Sequence, residues 1–173
     1  LTKSGAGRIT FAGANTFTGD IDVLAGDLFF SHTNGLPAGY AGTITLTNSA
    51  DAAIGYAVAG GPALLLARMD PASKGALALF PANAADAVDF SSFPDLRLAF
   101  VGSLAYTGTF TPYQGAYTYE VDGGTVTNDA VIADAGATPG HLTVIGANGS
   151  GMTLSGDNTF TGMGVLYDFA HTQ

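Results

Sequence analysis

Cysteine is absent from this 173-residue chain, which excludes a disulfide framework and a thiolate metal site and leaves stability to burial and backbone pairing. Cations are scarce as well: five Lys and Arg stand against fourteen Asp and Glu. Lys3, Arg8, Arg68, Lys74 and Arg97 are scattered singly along the chain. Binding a phosphate backbone draws its affinity from clustered cations that release counterions, so the sequence argues against nucleic acid as a partner, and against an anionic membrane surface for the same reason. Charge of either sign is thin, at 11% of residues against roughly 25% in an ordinary soluble domain. Most of the surface must therefore be Gly, Ala, Ser, Thr and Asn, which suits stacked β architectures with Thr and Asn ladders. Long apolar runs are also missing. The most apolar uncharged stretch, Ala52 to Ala67, contains Gly55, Gly60, Gly61 and Pro62 and falls short of the roughly 20 residues that span a bilayer, so no membrane insertion is expected. No start Met or leader pattern is visible, and residue 1 reads as a processed or truncated end.

What is present in quantity is apolar material, 47% of the residues, enough for one substantial core in a single domain. The most informative pattern is an internal repeat. Residues 9–19 read Ile-Thr-Phe-Ala-Gly-Ala-Asn-Thr-Phe-Thr-Gly, and residues 152–162 read Met-Thr-Leu-Ser-Gly-Asp-Asn-Thr-Phe-Thr-Gly, at a constant offset of 143. Upstream, Leu1-Thr-Lys-Ser-Gly5-Ala-Gly7 matches Leu142-Thr-Val-Ile-Gly146 onward, the second copy being two residues longer. The chain divides into a first repeat over 1–28, an intervening unit over 29–141 and a partial second repeat over 142–173.

Within each copy the pattern is short strands and tight corners. Ile9-Thr-Phe alternates apolar and polar as a half-buried strand does, and Gly13 and Asn15 tolerate positive φ at a corner. Phe17 is expected inward, and Ile21 and Val23 begin the next strand. In the middle, Ala41–Leu46, Leu77–Phe80, Leu96–Val101 and Tyr117–Val121 read as strands, and Ala63–Met69, stopped by Pro71, is the best helix candidate. Neither Asn34-Gly35 nor Asn148-Gly149 sits between two clean alternating runs, so hairpins are not signalled. Strands this short, joined by Gly and Asn corners, favour the coils of a parallel β-helix. Coils of roughly 20 residues cannot bury their own inward side chains and must stack. Roughly seven to nine coils would make a rod of about 35 to 45 Å.

Residues 1–28, with Leu1-Thr-Lys-Ser-Gly-Ala-Gly, Gly13-Ala-Asn-Thr-Phe-Thr-Gly19 and then Val23, Gly26 and Leu28, resemble the autotransporter-associated β-strand repeat, also called the passenger-associated repeat; residues 142–162 share the likeness. The resemblance implies a right-handed parallel β-helix exported to the bacterial cell surface, with no catalytic residues in the repeat. The fold expected is thus all-β, a right-handed parallel β-helix or solenoid with a short helix or loop insertion in the middle.

Candidate functional residues follow from this picture. Gly13, Asn15, Gly19, Gly156, Asn158 and Gly162 are the corner and ladder positions, where stacked Asn side chains bond along the rod. Val165, Leu166, Tyr167 and Phe169 form an apolar run that lacks the rest of its coil and is the candidate assembly contact, giving head-to-tail self-association into filaments. No catalytic residue, metal or cofactor is expected. Asp20, Asp22 and Asp27 are the densest acidic cluster, but no calcium-binding repeat occurs. Asp86 and Asp89 are similar. His32, His141 and His171 lack ligand spacing. Ser49, Ser91, Ser92 and Ser103 lack a nucleophile elbow, and Gly5-Ala-Gly7 opens no helix. Tyr106, Tyr113, Tyr117 and Tyr119 offer either core packing or a sugar platform. The functional expectation is a non-catalytic structural segment of an extracellular surface fibre or passenger. Its alternatives are an adhesin that binds cell-surface or matrix glycans and a polysaccharide-degrading β-helix, which needs carboxylates converging in a groove.

Overall fold

In the computed structural model, residues 1–47, 52–146 and 149–168 are described, Tyr167 and Asp168 by backbone alone. The strands of the first half are β1 (Thr2–Lys3), β2 (Ile9–Phe11), β3 (Ile21–Val23), β4 (Gly26–Phe30), β5 (Ile44–Leu46), β6 (Ala52–Tyr56) and β7 (Gly75–Leu79), with the helix α1 (Gly61–Leu66) between the last two. The second half adds β8 (Val88–Asp89), β9 (Leu96–Val101), β10 (Leu104–Tyr106), β11 (Phe110–Thr111), β12 (Ala116–Asp122), β13 (Thr125–Asn128), β14 (His141–Gly146), β15 (Gly151–Leu154) and β16 (Gly164–Asp168). Every strand pair is parallel. The one antiparallel contact among the described residues is the isolated bridge between Ala135 and Thr138.

Parallel neighbours cannot be joined by a tight hairpin, so each pair forces the chain once round. A large sheet of eight strands runs in the order β2-β4-β6-β7-β9-β12-β14-β16. Smaller sheets, β1-β3-β5, β10-β13-β15 and β8-β11, close the other sides. Register partners stand 19 residues apart at Ile9 and Leu28, 26 at Leu28 and Ile54, and 21 at Leu77 and Leu98. The fold is therefore a parallel β-solenoid with little helix, and seven steps of about 4.8 Å give the large sheet a height of roughly 34 Å.

The core is a set of ladders along the axis. One column runs Ile9, Leu28, Ile54, Leu77, Leu98, Tyr119, Val144, Leu166 by direct register. Its members from Leu28 to Tyr119 are fully buried. Aromatic side chains stack beside it: Phe11 on Phe30 with centroids 5.6 Å apart, Phe30 on Tyr56 at 5.8 Å, and in the second half Phe100 against Tyr106 at 5.6 Å and Tyr119 at 5.8 Å. The helix covers Gly61–Leu66 rather than 63–69, because Pro62 sits at its first turn, where its missing N–H costs nothing. Beyond Leu66 the chain tightens into single i→i+3 bonds such as Arg68 N–H to the Leu65 carbonyl.

The two sequence copies keep their internal geometry but occupy different faces. In the first, Thr2 pairs with Asp22 on a short sheet and Ile9–Phe11 lies in the large sheet. In the second, the equivalent pair Thr143 and Val165 lies in the large sheet, and Met152–Leu154 falls on a short one. The copies wind in the same sense, one face out of step.

Gly26 shows why the first copy reads as it does. Its φ is +68°, and a Cβ there would collide with the Gly5 and Gly7 carbonyls of the preceding rung. The buried Lys3 threads the same spot, its Nζ donating to the carbonyls of Ser4 (3.2 Å), Gly5 (2.5 Å) and Ala25 (2.9 Å). Gly26→Ala is expected to lower stability by roughly 2–4 kcal/mol, whereas Gly13→Ala, with open space around its Cβ and no positive φ, should change it by less than about 1 kcal/mol. Urea unfolding of the two variants checks the contrast.

Candidate functional site

Three regions hold the chemistry: the corners, the two ends of the rod, and the outer face of the large sheet. At the corners, asparagine bonds from rung to rung. Asn15 Nδ2 donates to the Gly35 carbonyl (2.7 Å), and Asn158 Oδ1 accepts the Ile132 N–H (2.9 Å). The two stand at opposite ends of the rod, so each side chain bonds to the backbone of an adjacent rung and not to the other asparagine. Asn83 does the same from a fully buried position, with Nδ2 donating to the Val58 carbonyl (2.6 Å) while Oδ1 accepts the Phe80 N–H (3.1 Å).

None of Gly13, Gly19, Gly156 and Gly162 has a positive φ. Gly156 and Gly162 are close-approach positions instead: a Cβ on Gly156 would meet the Asp129 carbonyl at 2.7 Å, and one on Gly162 would strike the Gly140 carbonyl. Gly13 and Gly19 face open space, although the Gly19 carbonyl accepts from the Tyr40 hydroxyl (3.1 Å).

At the ends the inward column surfaces. Ile9 is 47% exposed at one end and Leu166 77% at the other, beside Met163 at 67%. A cavity of about 140 Å³ lies under the last rung, lined by Val121, Val144, Met152 and Leu166 among others. Val165 is half-buried, the Tyr167 side chain is not described, and Phe169 lies outside the described residues.

The outer face of the large sheet carries Asp27 and Phe29 on β4, then Ala53 and Gly55, Ala76 and Ala78, Arg97, Ala99 and Val101, and finally Glu120 and Asp122 on β12. A flat ladder would hold β4 and β12 about 19 Å apart. Yet a single guanidinium reaches both: Arg8 Nε donates to Asp27 Oδ2 and its terminal nitrogen to Asp122 Oδ2, each at 2.9 Å. The sheet must therefore curl about its small-residue middle, with the larger outward side chains closing over alanines that are almost fully buried. Phe29 meets Phe80 edge-on at 4.9 Å and carries the Arg8 guanidinium 4.6 Å above its ring. Arg97 Nε pairs with Glu120 Oε2. The result is a polar trough of about 280 Å³ lined by Ala6, Arg8, Gly26, Asp27, Ala53, Arg97, Glu120 and Asp122. Sequence reading counted Arg8 and Arg97 as isolated cations, because partners 114 and 23 residues away leave no local signal.

The tyrosines do not form a sugar platform. Tyr106, Tyr117 and Tyr119 are buried in the core, and Tyr113 is half-buried away from any exposed stack. Burial pushes the phenols of Tyr106 and Tyr119 up from their ordinary value. The Tyr119 hydroxyl and Asn128 Nδ2 are buried without a hydrogen-bond partner among the described residues. The acidic residues mostly tie turns: Asp20 Oδ1 accepts the Thr43 N–H, Asp86 Oδ2 the Gly60 N–H, and Asp89 Oδ1 the Ser91 N–H. His32 Nδ1 accepts the Asn34 N–H and His141 Nδ1 the Met163 N–H. His171 and Ser49 lie outside the described residues. No group of three metal-competent side chains occurs among the described residues.

Stacked parallel rungs, corner amides bonded between rungs and an open core column define a β-solenoid repeat protein. Residues 1–28 and 142–165 match the passenger-associated-transport-repeat family. The matched repeats together with the parallel β-solenoid fit a passenger-type β-repeat protein of the kind found in autotransporters, and that repeat family implies a secreted or surface-exposed protein. The match leaves residues 29–141, and with them half of the trough's lining, outside the repeat. No curated protein and no solved structure matches the chain.

Asp134, another residue without a sequence signal, clamps the second copy. Its Oδ1 accepts the N–H groups of Gly140 (2.7 Å) and Thr161 (2.8 Å), and Oδ2 accepts the Thr161 hydroxyl (2.8 Å). These bonds, Gly140's first, hold its carboxyl below the usual 3.8. A depressed folded value means that the clamp's contribution is complete above 3.8 and is lost as pH falls through the lowered value. The Gly140 and Thr161 amide resonances are expected to titrate together in acid below 3.8, and Asp134→Ala should abolish that titration in an NMR series.

Proposed function

We propose that this chain is a non-catalytic, structural rod segment of an extracellular bacterial surface fibre or passenger-type protein, and that its ends join head to tail with a second copy. The observation that carries the reading is the core column. Its members from Leu28 to Tyr119 are sealed by the rungs above and below, while its terminal members, Ile9 and Leu166, stand in solvent on strands whose outer backbone edges are unpaired among the described residues.

Such an edge is a template for another parallel strand, and an exposed leucine above a cavity is a seat for an apolar side chain. Placing β2 of a second copy on β16 would set Ile9 over Leu166, continue the large sheet and give β15 a neighbour. The two ends are different surfaces, so the contact is heterologous and does not close on itself. The repeat family supports export, and the thin, mixed charge of the sides suits a surface that other molecules touch lightly.

Analytical ultracentrifugation and electron microscopy test the proposal. The purified chain is expected to form linear oligomers whose length grows with concentration, and Leu166→Lys or Ile9→Lys should weaken the association at least tenfold while leaving the circular dichroism spectrum unchanged. A strictly monomeric chain at high concentration would overturn it.

A further inference from the structure

We propose that His32 and His141 form an acid-sensitive latch on the two ends of the rod, each holding a corner next to a terminal strand through an imidazole that must be neutral to do so. The latch belongs to the single chain; only its consequence for assembly rests on the head-to-tail reading.

Both imidazoles use Nδ1 as an acceptor for a backbone N–H. His141 Nδ1 takes the Met163 N–H (3.1 Å), at the corner from which the chain enters β16 and reaches Leu166. His32 Nδ1 takes the Asn34 N–H (3.0 Å). The turn so fixed offers the Asn34 and Gly35 carbonyls to the backbone N–H (3.1 Å) and side-chain amide (2.7 Å) of Asn15, in the coil that follows β2. One histidine therefore steadies the strand that carries Leu166, and the other steadies the loop leading out of the strand that carries Ile9. A ring nitrogen that accepts in neutral imidazole becomes a donor once protonated, so two donors then face each other. Histidine takes up that proton between roughly pH 8 and pH 5.

Neighbouring groups decide what the new proton meets. In register, His141 stands between Ala116 of β12 and Met163, neither of them charged. The loop before β14 brings the Asp134 carboxylate, which interacts electrostatically with His141. That carboxylate already accepts the Gly140 N–H and both donors of Thr161, so an imidazolium drawn to it competes for the oxygens that hold the second copy's corner. Around His32, the preceding coil at residues 12–15 and the following stretch at 57–67 carry no charge. The charged groups beyond them are Asp86, bonded to the Gly60 N–H, and Arg68, which lines a cavity with Thr33 and Asn34. The turn itself holds no carboxylate, so protonation there removes a bond and the turn supplies no anion in exchange.

The test reads the single chain and its oligomers separately. In dilute solution, NMR from about pH 8 to about pH 5 should show the Asn34 and Met163 amides titrating with the imidazoles that hold them, above the acid range in which Asp134 titrates. His32→Asn and His141→Asn substitute an amide oxygen, an acceptor that takes no proton in this range. Each should abolish the titration of its own amide and leave the melting temperature at neutral pH unchanged. In sedimentation, acidification over the same range should weaken association roughly threefold to tenfold, the worth of about one ordinary hydrogen bond, and the double Asn variant should associate equally at both ends of it. Amides that stay still, or that move as much in the Asn variants, would overturn the latch. Association that ignores acid, or that weakens as much in the double variant, would overturn its control of assembly. A chain that is monomeric throughout and still shows both amide titrations would support the latch and count against the head-to-tail reading alone.

Discussion

Backbone pairing between successive rungs is the interaction on which everything else in this molecule waits. A turn of about twenty residues with strands of two to seven residues buries too little to stand alone. Once its N–H and C=O groups are taken up by the rungs above and below, its inward side chains meet in register and the Leu, Ile, Phe and Tyr columns form without further design. Corner bonds from Asn15, Asn83 and Asn158 act in the same direction, each tying a loop to the backbone of an adjacent rung.

The same constraint explains the surface. A solenoid needs few charges, because its sides are ladders of small polar residues, and the few it has are used across long distances in sequence. Lys3 is buried among carbonyls, Arg8 joins the first rung to the sixth strand of the large sheet, and Asp134 binds the second copy's corner. The curl of the large sheet comes from outward Ala and Gly on β6, β7 and β9, a pattern that a flat strand exposed to solvent would have no reason to carry.

Much of the fold could be read in the chain before any coordinates. Alternation at Ile9–Phe11, Ile21–Val23 and Tyr117–Val121 marked strands, and the paired Asn-Thr-Phe-Thr-Gly stretches marked stacked turns. The helix runs Gly61–Leu66 where the sequence pointed to Ala63–Met69, because Pro62 can open the first turn, where no N–H is needed. Gly13 and Gly156 looked alike in sequence, yet only Gly156 is pressed against a neighbouring backbone; spacing records that a corner exists, not how crowded it is. The trough was hidden because its residues lie on separate rungs, gathered by a curvature that depends on side-chain size across five strands. The tyrosines were ambiguous for a simpler reason: alternation places every second residue inward, but a loop-rich segment does not reveal which phase it takes.

The one-face offset between the two repeat copies reaches past this chain's own packing. A motif that keeps its geometry on either the large or a short sheet specifies a bend in the path, and leaves open the direction in which that bend looks. Wherever the 143-residue period recurs, features fixed to one sheet would reappear turned about the long axis. Such a stalk would show its flank all the way around its circumference instead of along a single stripe.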